Sequence, residues 1–110
     1  MRVFAAVVAC FPCMTLADDM PKLDDARIVA ILTDQKLRYS DGWQEFFASG
    51  RTLYNAGRDS WGYWRAQGGQ YCSRWPPADV WACYDVYAAG DAVRFVGAGG
   101  TPTDGTIVPK

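Results

Sequence analysis

From residue 35 onward, apolar and polar side chains alternate in short runs, and each run ends at glycine, proline or aspartate. Runs of this kind read as strands, with the punctuation marking turns. Residues 36–39 lead to Asp41-Gly42, a two-residue hairpin signal. Residues 43–48, 51–54 and 59–66 follow, separated by Ser49-Gly50 and Ala56-Gly57 and closed by Gly68-Gly69. Residues 71–75 and 80–87 flank Pro76-Pro77, and residues 92–96 follow Gly90-Asp91. Residues 97–105, rich in Gly, Thr and Pro, read as a loose loop within a loose 97–110 tail, with 106–108 as a short extra strand. A different period occupies residues 24–33. There Ile28, Val29 and Leu32 fall on one helical face behind Asp24 as N-cap, and Asp25 complements the positive helix start. The expectation is a helix that plugs or packs on the sheet. Strands about ten residues apart, with no helical crossovers, predict an antiparallel meander. The predicted fold is mainly β: six or seven strands closing into a small barrel or a sandwich, with one N-terminal helix packed on it.

The stretch 62–87 specifies its own register. Pro76 and Pro77 cannot donate ladder hydrogen bonds and belong in the connection. Symmetry about them sets Trp75 opposite Val80, Arg74 opposite Trp81, Ser73 opposite Ala82, Cys72 opposite Cys83 and Tyr71 opposite Tyr84. Directly opposed cysteines in an antiparallel pair lie about 4.5 Å apart at Cα, near the short limit for a disulfide. A Cys72–Cys83 disulfide is therefore expected. The same register sets Arg74 over Trp81 as a cation–π pair. Gly62, inside its strand, marks a bulge or a close backbone approach beneath neighbouring tryptophans.

The first 17 residues change the picture of where the chain works. Arg2 precedes an uncharged apolar run, and Thr15-Leu16-Ala17 places small residues where a signal peptidase cuts. This predicts a signal peptide at 1–17, cleavage after Ala17 and a periplasmic or secreted domain at 18–110. The run is too short for a membrane span. Residues 7–10 also resemble a lipobox, which would make Cys10 a lipid anchor. Cys10 and Cys13 match a redox spacing, but no βαβ setting follows them. Cleavage would leave 93 residues (110 less 17), a net charge of −2 in place of −1, and Cys72 and Cys83 as the remaining cysteines. An even cysteine count in an exported chain favours pairing. The basic residues are scattered singly, which speaks against nucleic-acid binding.

Gly50, Gly62-Tyr63-Trp64, Tyr71-Cys72-Ser73-Arg74-Trp75, Trp81-Ala82-Cys83-Tyr84 and Gly90-Asp91 follow Asp41-Gly42 in order. In this the chain resembles a group of small exported proteobacterial proteins of uncharacterised function, which share G-x-W, C-x-x-W and W-x-C-Y strands. The resemblance spans about residues 23–97 and implies a periplasmic β-rich domain without implying an activity.

Candidate chemistry is sparse. The chain contains no histidine, which removes histidine-based acid–base, triad and metal chemistry. No metal, cofactor or catalytic residue is expected. Glu45 with Asp59 or Asp85 could form a hydrolytic carboxylate pair, but nothing in their spacing brings them together. Aromatic load is the salient feature, with five Trp and six Tyr. Alternation sets Trp61 and Tyr63 on one face and Trp64 on the other. A core hides one face only, so an aromatic strip with arginines is a candidate binding surface. The candidate residues are Trp61, Trp64, Arg65, Arg74, Trp81 and Arg94. The expected function is a non-enzymatic module binding a small ligand or an envelope component, with protein–protein interaction as the alternative and a carboxylate hydrolase third.

Overall fold

The structure, a computed structural model, describes residues 20–109. One helix, α1 (Asp25–Leu32), precedes eight strands. These are β1 (Gln35–Arg38), β2 (Trp43–Phe46), β3 (Arg51–Asn55), β4 (Asp59–Gln67), β5 (Gln70–Arg74), β6 (Ala82–Ala89), β7 (Ala92–Val96) and β8 (Pro102–Ile107). Each pairs antiparallel with the next, and β8 returns to β1, closing the barrel. Closure pairs the first strand with the last, so neither β1 nor β8 is left as an open edge strand. The predicted signal segment 1–17 and Cys10 lie outside the described residues.

The predicted barrel class holds, with eight strands instead of six or seven. The additional strand lies in the segment read as loose: β8 pairs along all of β7 and closes on Leu37 and Arg38. Its sequence, Pro-Thr-Asp-Gly-Thr-Ile, carries little apolar signal. Pro102 begins the strand, where a missing N–H is tolerated, and Gly105 faces inward because the Tyr39 ring occupies the space a side chain would need. The first hairpin also differs in detail. The Tyr39 N–H donates to the Gly42 carbonyl at 2.7 Å, so Ser40 and Asp41 form the turn, one position earlier than predicted. Gly42 is required for room, since a Cβ there would run into the Asn55 carbonyl.

The Cys72–Cys83 register is as the symmetry predicted, with Tyr71–Tyr84 and Ser73–Ala82 beside it. The disulfide is formed, with a Cα separation of 4.0 Å. The ladder stops at Ser73–Ala82, so Val80 and Trp81 belong to the connecting loop and not to β6.

In an antiparallel meander, alternate connections lie at opposite ends. The β2–β3, β4–β5 and β6–β7 turns share one end with α1, which packs against β1, β4 and β5. Asp24 caps the helix, its carboxylate accepting the Arg27 N–H at 2.9 Å. Asp25 accepts the Gly69 N–H at 2.7 Å, tying the helix start to the β4–β5 turn. Thr33 ends the helix, and Asp34 takes a left-handed φ of 62° that swings the chain into β1. Ile28 and Leu32 insert fully buried among Leu37, Phe46, Val86 and Val93. The lead segment before the helix is docked on the barrel. Leu23 donates to the Val86 carbonyl and Ala88 to the Pro21 carbonyl, along the β6 edge that short β5 leaves unpaired. Pro21 contributes only a carbonyl there, so its missing N–H costs nothing.

Candidate functional site

The other end of the barrel carries the four remaining connections and, among the described residues, no helix. Between them opens a cavity of about 580 Å³. Eight strands enclose an interior that side chains can fill or that can hold one small ligand. Here the α1 half is filled and the far half is hollow.

The hollow is walled by rings from different strands. Trp75 meets Tyr54 edge-on at 6.2 Å, Tyr54 meets Tyr39 at 6.2 Å, Tyr39 meets Phe95 at 6.5 Å, and Phe95 meets Tyr84 at 6.5 Å. Tyr71 sits below, 5.1 Å from Phe95. Three glycines make room for this wall. A Cβ on Gly62 would strike the Trp75 ring at 2.6 Å, one on Gly97 would meet Tyr84 at 3.0 Å, and one on Gly105 would meet Tyr39 at 3.0 Å. Gly62 is thus a close approach and not a bulge, since β4 pairs without interruption on both sides. Gly62→Val is expected to destabilise the barrel by about 1–3 kcal/mol by overpacking. It should also shift tryptophan emission as Trp75 is displaced, both effects being read in a thermal melt followed by fluorescence.

The floor is polar. Gln44, 7% exposed, points inward in phase with Phe46. Its Oε1 accepts the Tyr39 hydroxyl at 2.7 Å, and its Nε2 donates to Thr52 Oγ1 at 2.9 Å and to the Tyr71 hydroxyl at 3.1 Å. Thr52 passes its own proton to the Glu45 carbonyl at 2.7 Å. A buried amide is tolerated only when satisfied in this way. Burial pushes the Tyr71 phenol up to about 12, although hydrogen bonds from Ser73 and Gln44 pull the other way. Burial likewise raises Tyr39 well above the ordinary phenol range.

These shifts set an alkaline limit. A folded-state pKa above the unfolded value of about 10 means stability is intact below pH 10 and is lost as pH climbs toward 12. Tyrosinate absorbance should therefore show Tyr39 and Tyr71 ionising only with unfolding. Ionisation of both near pH 10 in the folded protein would contradict this.

None of the six sequence-predicted binding residues lines the cavity. Trp64 points inward at the α1 end, edge-on to Phe46 at 5.7 Å, its Nε1 donating to the Phe47 carbonyl at 3.0 Å. Arg94 lies on the outer face and holds Asp104 through both nitrogens, Nε at 2.6 Å and Nη2 at 2.9 Å. That bond keeps the Asp104 carboxyl below its ordinary range. The other four come together on the outer wall of β3–β5 and the loop after β5. Trp61 stacks on Phe47 at 5.9 Å and lies under Arg51 at 4.6 Å. Arg51 also reaches Tyr63 at 5.7 Å, and Arg74 covers Tyr63 at 4.7 Å and Trp81 at 5.6 Å. Arg65 closes the series on Trp81 at 3.9 Å. The expected Arg74–Trp81 pair is present as one rung of this ladder.

The cavity residues Tyr39, Gln44, Tyr54, Tyr71, Trp75 and Tyr84 were not among the candidates. The signal that could have found Gln44 is its position: a lone amide in phase with Phe46 on the inward side. Glu45, Asp59 and Asp85 lie on different strands, and Asp59 and Asp85 have their own neighbours, Asn55 and the Lys22–Gln70 pair. Among the described residues no group of three or more His, Cys, Asp or Glu could hold a metal ion. No helix among them is long and apolar enough to cross a membrane.

Fold and site together define a closed antiparallel eight-stranded barrel, helix-plugged at one end and open at the other into an aromatic cavity. No family model, no curated protein and no solved structure matches the chain.

Proposed function

We propose that this protein is an exported binding module that takes a small ligand into the open end of its barrel. The observation that carries this reading is the asymmetry of the interior. One half is filled by Ile28, Leu32, Phe46 and Val93, and the other is left as a ring-walled hollow over a satisfied Gln44. A chain selected for stability alone would gain by filling such a space. Export is supported by the apolar segment 1–17 and by a disulfide, a bond that persists in oxidising compartments. The test is intrinsic fluorescence titrated against small amphiphiles and short glycans. A saturable change is expected that Thr103→Trp, at the mouth, abolishes without altering the melt. Saturable binding that survives in Thr103→Trp would move the site elsewhere.

A second reading rests on the outer ladder. Arg51, Arg65 and Arg74 have no carboxylate within salt-bridge distance among the described residues, and guanidinium edges stacked on rings keep their donors free. This face suits an envelope protein presenting carboxylates. Retention on immobilised polyglutamate, lost in high salt and in Arg51→Ala/Arg74→Ala, would support it. Equal retention by the variant would end it.

A further inference from the structure

We infer that the cavity selects an organic cation, a ligand with an alkylammonium head. This rests on the proposal that the cavity is a ligand site and adds the chemical class. Among the described residues no lysine or arginine lines the cavity, whereas Asp41 and Asp104 stand at its rim. Asp104 is engaged by Arg94 from the outer face, but Asp41 has no salt-bridge partner among the described residues.

Several donors of the floor and wall are already used. The Tyr39 hydroxyl gives its proton to Gln44, and both Gln44 amide protons go to Thr52 and Tyr71. The Trp75 indole N–H goes to Ser73 Oγ at 3.1 Å. What the wall presents to the hollow is mainly aromatic ring faces. An anion would find no lysine or arginine side chain of the lining to meet it. An ammonium group would find ring quadrupoles around it and a carboxylate at the mouth, the arrangement that stabilises quaternary ammonium heads. High phenol pKa values keep Tyr39 and Tyr71 neutral at ordinary pH, so their rings and oxygens hold this character across the physiological range.

Three probes of one shape separate charge from volume: choline, its uncharged carbon isostere dimethylbutanol, and the carboxylate dimethylbutanoate. They would be titrated by protein NMR against the full folded chain. Choline is expected to bind about tenfold or more tighter than the alcohol, with the carboxylate weakest, a margin in keeping with a cation held against desolvated rings. Asp41→Asn and Tyr54→Leu should each weaken choline several-fold more than they weaken the alcohol. Asp41 is an exposed turn residue, so its variant keeps the fold. If the alcohol binds as well as choline, or the carboxylate binds best, the cation inference falls and the cavity remains a ligand site. If choline fails while a neutral amphiphile or glycan saturates the cavity, the inference falls in the same way. If no probe or panel ligand perturbs cavity resonances, both readings fall.

Discussion

Leu32→Ala should lower the unfolding free energy by about 2–5 kcal/mol, the range for emptying a closed apolar site. Leu32 is fully buried, and its neighbours in the core cluster come from both the helix and the barrel. The site cannot collapse easily, because the barrel wall is tied by ladder bonds on every side. The effect should also spread along the helix. Its eight residues are too few to hold a helix alone, so its order depends on this contact. Urea unfolding is the measurement: a lower midpoint at an unchanged slope is expected. A change under about 0.5 kcal/mol would mean that the helix rests on the barrel end without being part of its core.

The double variant Cys72→Ala/Cys83→Ala should cost about 3 kcal/mol, and more if the vacated space at buried Cys72 does not close. The bond joins residues 11 apart, and most of its effect lies in restricting the unfolded chain. A loss of that size corresponds to a fall in Tm of about 10 °C or more. The native state is affected locally as well. The β5–β6 ladder has only three residue pairs, and the disulfide is the central one. Without it, amides of residues 72–84 should exchange faster, and the Trp75 side of the cavity wall should loosen. A double variant with wild-type midpoint and exchange would show that the barrel holds this seam unaided.

That Trp61 and Tyr63 share one face and Trp64 takes the other was legible in the sequence from strand alternation, but which face turns inward was settled by the fold. Helix bounds were legible to within a residue, since Asp24 and the Ile28–Leu32 spacing encode them locally. The eighth strand was not. Pro102, Gly105 and the three small polar residues beside them carry no apolar rhythm ahead of Ile107, and they form a strand because β7 and β1 leave two edges to be joined. The cavity went unread in the sequence for a related reason. Tryptophan and arginine draw attention by type, whereas the cavity wall draws its tyrosines from the β1–β2 connection, β3, β5 and β6, far apart in sequence.

The order of strands, the cysteine register and the helix cap were determined by the sequence itself, because each depends on contacts a few residues long or on one symmetric hairpin. Whether the meander closed as a barrel, which end the helix stopped, and that the open end was left hollow under a ring of aromatics were decided only in three dimensions. Closure joins residues about seventy apart, Leu37 to Ile107, and a void is the space left once every strand has taken its place. No local pattern of side chains records it.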